Sequence, residues 1–261
     1  MMADEFRSDK FSWEIRQGNA LPELASLKDE TVDLMLTDPP YNIGHSYGWY
    51  HDSMDWGDYF AWQVNIFREA GRLLKPGGSI FWINYPETAA RLWCAIIEDV
   101  PELSKVQWLT WIYHVHSVGA PFRKATRSIL WFAKGEPYVD QDATLGEYQN
   151  PNDLRIQAQI LRGRRPIDYD WWLVEQVKSP SPEKTEHPCQ VPILLLSRIV
   201  RLACPPRGTV VDPFSGSAST GVACIQEERD YIGIDIAAEC YTMGQERLKK
   251  ATRQKQHTLE I

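Results

Sequence analysis

The sequence predicts an α/β fold, a parallel or mostly parallel sheet with helices on both faces. Three observations lead there. Strand-like and helix-like periodicities alternate along the chain, an Asp-Pro-Pro-Tyr tetrapeptide closes an apolar strand, and a loop of small residues joins a later strand to a helix. With 43% hydrophobic residues and 11 Trp, 11 Tyr and 8 Phe in 261 positions, the chain carries more apolar surface than a solvated coil would.

Taken in order, Ser12 to Arg16 reads as a short strand, Leu21 to Leu27 as a helix and Val32 to Thr37 as a buried strand. After a long loop, Phe60, Val64, Phe67 and Leu74 recur at helical spacing from Asp58 to Leu74, and Pro76-Gly77-Gly78 stops that helix. Ser79 to Ile83 follows as a strand, Thr88 to Ile97 as a helix, and Val106 to Val115 and Ser128 to Phe132 as two more strands. Between Gly135 and Lys184 the pattern dissolves into a polar stretch rich in Pro, Gly, Asp and Gln, expected to be an excursion from the core. Regularity returns with a helix from Pro192 to Ala203, a strand from Thr209 to Val211 and a helix from Thr220 to Glu227. A strand from Tyr231 to Ile234 and a last helix to about Lys250 complete the pattern. Residues 1–11 and 251–261 are expected to be loose, leaving one domain over 12–250 with a short insertion at 135–184.

Composition narrows the function classes. No window approaches the roughly eighteen apolar residues of a membrane span, and the start lacks a basic stretch followed by an apolar run. A soluble, cytoplasmic protein is expected. Five scattered cysteines without a C-x-x-C pair support neither a disulfide framework nor a zinc site, and no metal is expected; buried free thiols are the default. The net charge of -7 argues against nonspecific coating of nucleic acid, but the local field matters more than the total. Arg123, Lys124, Arg127 and Lys134 form one basic run, Arg162, Arg164 and Arg165 another, and Arg247, Lys249, Lys250, Arg253 and Lys255 crowd the C-terminus.

Asp38-Pro39-Pro40-Tyr41 follows the strand Val32 to Thr37 directly, at the carboxyl end where open α/β sheets place ligands. Two prolines stiffen the backbone and remove N–H donors, leaving carbonyl oxygens, a carboxylate and a flat aromatic ring: groups suited to grip an exocyclic amine. A proline-rich turn closing the strand is the plainer reading of Asp-Pro-Pro alone, but all four letters together are rare by chance and favour function, though one tetrapeptide does not settle it. Val210 to Gly221 runs from a strand into the loop Asp212-Pro213-Phe214-Ser215-Gly216-Ser217-Ala218-Ser219-Thr220 and opens a helix, where small side chains let backbone N–H groups approach a ligand. Neither the G-x-G-x-x-G fingerprint nor the P-loop pattern is present. Asp235 ends the next strand, where an acceptor suits a ribose diol.

Together these segments resemble the S-adenosylmethionine-dependent DNA amino-methyltransferases. Asp38 to Tyr41 matches that family's catalytic tetrapeptide, and Asp212 to Thr220 matches its cofactor loop except at Ala218 and Ser219. Gln17-Gly18-Asn19-Ala20, Leu74 to Ser79 and Glu186-His187-Pro188-Cys189-Gln190-Val191-Pro192 extend the likeness, which runs from about Gln17 to Leu248. The tetrapeptide precedes the cofactor loop, which resembles the permuted order of the beta group, with a target-recognition region between the halves.

The resemblance implies a permuted Rossmann-like sheet and transfer of a methyl group to adenine N6 in DNA, with cytosine N4 as the alternative and a non-catalytic, cofactor- and DNA-binding partner subunit as a third reading. Asp38, Pro39, Pro40 and Tyr41 would be catalytic. Asn19, Asp38, His187, Asp212, Phe214, Ser215, Gly216, Ser217, Thr220 and Asp235 would bind S-adenosyl-L-methionine. Tyr47, Trp49, Arg123, Lys124, Arg127, Arg162, Arg164 and Arg165 would meet DNA, the aromatic loop Tyr47, Trp49, Tyr50 and Trp56 acting as a lid. DNA is the implied partner, with a homodimer and a cognate restriction endonuclease as further candidates. Pro188-Cys189 is also the dipeptide of a cysteine nucleophile, but it sits ahead of a helix rather than after a catalytic strand. His114 and His116 alternate onto one strand face, where structural roles outweigh metal binding.

Overall fold

A computed structural model describes residues 2–44, 52–114, 121–148 and 150–259. Among the described residues nine strands form one sheet in the order β1-β2-β9-β8-β3-β4-β6-β5-β7. These are β1 (Met2–Arg7), β2 (Ser12–Gln17), β3 (Val32–Thr37), β4 (Leu74–Asn84), β5 (Ser104–Ile112), β6 (Thr126–Ala133), β7 (Trp171–Leu173), β8 (Thr209–Asp212) and β9 (Asp230–Asp235). The centre, β2-β9-β8-β3-β4, is parallel, and the antiparallel pairs β1–β2, β4–β6 and β5–β6 lie outside it.

The helices are α1 (Ala20–Ser26), α2 (Trp56–Leu73), α3 (Pro86–Asp99), α4 (Leu154–Leu161), α5 (Ile193–Ala203), α6 (Ser219–Gln226) and α7 (Ala238–Leu259). Strand alternation divides the core between the two faces of the sheet. Leu34, Leu36, Phe81, Ile83 and Val210 pack on one face with Leu195, Ile199, Val222 and Leu248 of α5, α6 and α7. Met35, Ile80, Trp82 and Val211 pack on the other with Leu24, Phe67 and Leu92 of α1, α2 and α3. Among the described residues no helix is long and apolar enough to cross a membrane.

Three expectations about the periphery are corrected. Residues 2–7, expected to be loose, form β1, which pairs antiparallel with β2 from Met2↔Gln17 to Arg7↔Ser12. Its apolar anchor is Phe6, 5.6 Å from the Phe11 ring and 6.2 Å from Trp13. The C-terminal tail is likewise helical, α7 continuing past Lys250 because Ala251 and Thr252 are buried and Trp13 Nε1 donates to Thr252 Oγ1 at 2.9 Å. The stretch 135–184 is only partly an excursion: β7 pairs parallel with β5, and Trp172 and Val174 enter the core. Cysteines also divide, Cys204, Cys224 and Cys240 being buried and free while Cys94 and Cys189 are exposed.

Candidate active site

The neighbouring parallel strands β2, β9, β8 and β3 end at one edge of the sheet, and each delivers residues to a single cavity of about 360 Å³. Gly18 and Asn19 follow β2, Asp38 to Tyr41 follow β3, and Pro213 to Ser217 follow Asp212 at the end of β8. Asp235 closes β9, His187 comes from the segment before α5, and Thr220 from α6. Every residue singled out from the sequence as catalytic or cofactor-contacting therefore lines the same space.

Within the tetrapeptide, the Tyr41 hydroxyl donates to Asp38 Oδ1. The Pro40 carbonyl accepts from the Tyr59 hydroxyl at 2.8 Å, while among the described residues nothing donates to the Pro39 carbonyl. Burial pushes the Asp38 carboxyl up to about 7, against the lowering effect of the Tyr41 hydroxyl and the Arg127 charge and with a further push from Asp212. The base of the following loop is tied: Asn42 N–H donates to Asp52 Oδ1 at 2.8 Å, and Met54 N–H to Asn42 Oδ1 at 2.6 Å. Tyr47, Trp49 and Tyr50 lie outside the described residues. Trp56 belongs to α2 rather than a loop and stacks on Phe60 at 5.8 Å.

On the β8 side, Asp212 braces the loop. Its Oδ1 accepts from Thr37 Oγ1 at 2.6 Å and Phe214 N–H at 3.1 Å, and its Oδ2 from Thr220 Oγ1 at 2.7 Å. Burial raises its carboxyl to about 6 in spite of these donors. Asp235 accepts from Gly216 N–H at 2.8 Å and Ala237 N–H at 2.9 Å, one backbone donor per oxygen, and the Cys240 thiol also hydrogen-bonds the carboxylate, which leaves acceptor capacity for a diol. Burial also raises the Asp235 carboxyl. His187 packs over Gly216, whose φ of +50° and missing Cβ make room; a Cβ there would lie 3.0 Å from His187 Nε2. Burial, reinforced by Lys184 and Arg247, lowers the imidazole to about 4, so the ring is neutral near pH 7. Its Nδ1 accepts from Cys189 N–H at 3.3 Å.

The Asn19 side chain caps α1, its Oδ1 accepting from Leu21 N–H at 3.2 Å, which leaves its amide N–H₂ for a ligand. The DNA-facing candidates divide. Arg162, Arg164 and Arg165 are exposed just beyond α4, Arg165 pairing with Asp142 at 2.7 Å. Arg123 and Lys124 are exposed before β6, Lys124 reaching Glu87 at 3.4 Å. Arg127 departs from expectation: it turns inward among Tyr41, Tyr85 and Tyr113, drawn by phenol acceptors and ring faces. His114 is exposed and pairs with Glu175, while His116 lies outside the described residues.

Sequence reasoning missed several lining residues. Trp62 of α2 packs its ring 5.3 Å from Phe214, and Met54, Ile236 and Cys240 complete the wall. Ile236 had a signal, since a large apolar residue directly follows the Asp235 carboxylate and is 59% exposed at the cavity. Trp62 had none, because helical periodicity does not tell which face meets a ligand. Arg247, read as part of a C-terminal basic cluster, instead donates to the Ser217 carbonyl at 2.9 Å and Ser219 Oγ at 2.7 Å behind the loop.

The chain matches the family described as DNA methylase over residues 32–246. It is 28% identical over 249 residues to the DNA adenine methyltransferase YhdJ of Escherichia coli (strain K12), covering 91% of this chain and 83% of that protein. It is also 28% identical over 232 residues to the type II methyltransferase M.HpaI of Haemophilus parainfluenzae, covering 88% and 72%. Among solved structures, the cytosine-N4-specific PvuII DNA methyltransferase matches with a TM-score of 0.71 at 18% identity, covering 93% of this chain and 92% of that one. The M1.HpyAVI–SAM complex matches with a TM-score of 0.64 at 21% identity, covering 90% and 98%. These two likenesses speak to the fold, a Rossmann-like methyltransferase sheet. The family match spans both the Asp38 tetrapeptide and the β8 loop, and the chain belongs to the N6-adenine and N4-cytosine DNA methylase family.

Proposed function

We propose that the chain transfers the methyl group of S-adenosyl-L-methionine to the N6 amino group of adenine in DNA. The observation that carries this reading is the single cavity shared by the Asp38 tetrapeptide, the β8 loop and Asp235. Its chemistry suits a cationic ligand with ring systems. Three desolvated carboxyls, Asp38, Asp212 and Asp235, face a wall that includes the rings of Tyr41, Trp62 and Phe214. Asp235 would take the ribose hydroxyls, the Asn19 amide and Ile236 the adenine, and Phe214 with the α6 end of the loop the amino-acid part.

When bound, the cofactor supplies an electrophilic methyl carbon on sulfur. An aromatic amine is a weak nucleophile because its lone pair is spread into the ring. Asp38 Oδ2 and the Pro39 carbonyl are the acceptors that hold the amino hydrogens, localising the lone pair and aiming it at the methyl carbon. The methylated amine would have to lose a proton, and the Asp38 carboxyl, poised near 7, would be matched to accept it. Tyr41 offers its ring to the extruded base. Extrusion costs a few kcal/mol, and stacking returns about 1–3 kcal/mol of it.

Adenine is favoured by Asp at the first tetrapeptide position and by the adenine-specific relative. Cytosine N4 is the second reading, favoured by the fold match to a cytosine-N4 enzyme. The order of tetrapeptide and loop supports the beta group, and the exposed arginines at 162, 164 and 165 support phosphate contacts from the insertion. The type II naming of relatives supports a cognate endonuclease as partner, and the short insertion supports a homodimer. The test is nucleoside mass spectrometry of DNA incubated with the chain and labelled cofactor, for which N6-methyladenine is expected. D38A should lose activity by about 100-fold or more with cofactor binding retained. An unmodified DNA, or a fully active D38A, would overturn the assignment.

A further inference from the structure

Arg127 stands on β6 opposite Trp111 of β5, and its guanidinium points into a nest of phenols from three other segments. It donates to the Tyr85 hydroxyl at 2.8 Å and to the Tyr113 hydroxyl, and its carbon lies 3.8 Å from the Tyr85 ring centroid, 5.4 Å from that of Tyr113 and 5.5 Å from that of Tyr41. Tyr85, the residue that enters α3, meets Tyr41 edge-on with centroids 4.9 Å apart at 67°. Among the described residues no carboxylate comes within ion-pair distance of Arg127. A half-buried guanidinium without an acidic partner is costly unless its charge and donors are used. Here the donors go to the Tyr85 and Tyr113 hydroxyls and the Thr126 carbonyl, and the charge lies 5.5 Å from the ring of Tyr41, whose hydroxyl is bonded to Asp38.

We propose that Arg127 is a positioning residue for the methyl transfer assigned above: by stacking on and donating to Tyr85, which meets the Tyr41 ring edge-on, it fixes that ring, and it places a permanent positive charge beside the Asp38–Tyr41 pair. The inference rests on the methyltransferase reading of the cavity. Three groups face that carboxyl: the Tyr41 hydroxyl from its own segment, Asp212 from β8 and Arg127 from β6. Asp212 and burial favour the neutral acid, while Tyr41 and Arg127 favour the carboxylate. Lysine is a poor substitute, because it brings the charge without the planar fork that stacks on one ring while donating to two hydroxyls.

The experiment titrates the Asp38 carboxyl by carbon-13 NMR in the ligand-free wild type, R127M and R127K, and measures kcat against pH and cofactor affinity for each. In R127M the carboxyl midpoint and the acid limb of kcat should both rise by about one pH unit or more, with cofactor affinity unchanged. R127K should restore the midpoint but not the full kcat. Equal midpoints in wild type and R127M overturn the proposal, as does a kcat that falls equally at every pH. Should R127M fail to fold, R127Q, which keeps polar donors without the charge, should raise the midpoint likewise; an unmoved midpoint there overturns the proposal. A wild type that methylates no base overturns the methyltransferase reading and the role built on it, whereas a shifted midpoint in R127M still establishes the contact.

Discussion

The Thr37 hydroxyl donates to the Asp212 carboxylate at 2.6 Å, joining the last residue of β3 to the last residue of β8. Asp38 follows Thr37 directly, and the same carboxylate holds Phe214 N–H and Thr220 Oγ1. One buried side chain thus sets the spacing between the tetrapeptide and the β8 loop. T37V should destabilise the chain by about 1 kcal/mol and weaken cofactor binding, measured by urea unfolding and calorimetry. An unchanged cofactor affinity would show that the brace is dispensable.

Asp38 and Asp212 make stability pH-dependent with a definite sign. Their folded-state values, about 7 and about 6, lie above the ordinary 3.8, so the folded chain binds more protons than the unfolded one, and the Asp38 contribution falls as pH rises from about 4 to about 7 and the Asp212 contribution from about 4 to about 6. Each group can contribute up to about 1.4 kcal/mol per pH unit within its window. In D38N the decline should be shallower than in wild type when unfolding is followed at several pH values. Parallel curves would contradict the enclosed, desolvated state of Asp38.

His187 acts in the opposite sense. Its imidazole, lowered from 6.5 to about 4, must bind a proton to unfold below neutrality, so the stability it contributes is lost as pH falls through that interval. H187N, which keeps a neutral polar ring substitute, should flatten the acid-side loss in the same unfolding series. A wild-type-like acid limb in H187N would mean that the ring is already charged in the folded chain.

At Gly216 the backbone sits at φ +50° and the His187 ring occupies the space of a side chain. G216A should cost about 1–2 kcal/mol and reduce cofactor affinity, since the loop must either strain or push the imidazole aside. Thermal unfolding and calorimetry read both effects, and a G216A protein with wild-type values would remove the close-packed loop from the account.

Cys189 lines the cavity, so a covalent route through its thiol needs a direct test. C189S should retain nearly all methyl transfer, because the proposed chemistry asks only for acceptors on the amine. A near-total loss of activity, with cofactor binding intact, would favour a thiolate nucleophile over Asp38.

Much of the site was legible in the chain because its chemistry is carried by short contiguous segments at strand ends. Asp38 to Tyr41, Asp212 to Thr220 and Asp235 each adjoin an apolar strand that announces itself, and all three line the cavity. The periphery was harder to read. β1 is held by backbone pairing and by Phe6, and Lys249 meets Asp4 at 2.8 Å, but six residues with little apolar periodicity resemble a tail. β7 has three residues and earns its place only by pairing with β5.

The alternation of strands and helices, the residues at the carboxyl ends of β3, β8 and β9, and the kind of chemistry they support were determined by the sequence alone, since each depends on local order. Tertiary structure decided what the cations do. Arg127 looked like part of an exposed basic run and lies instead among three tyrosines, and Arg247 looked like a surface charge and braces Ser217 and Ser219. A long, flexible guanidinium has no direction written in its neighbours along the chain. Its orientation follows from acceptors and rings contributed by distant segments, and those meet only once the sheet is assembled.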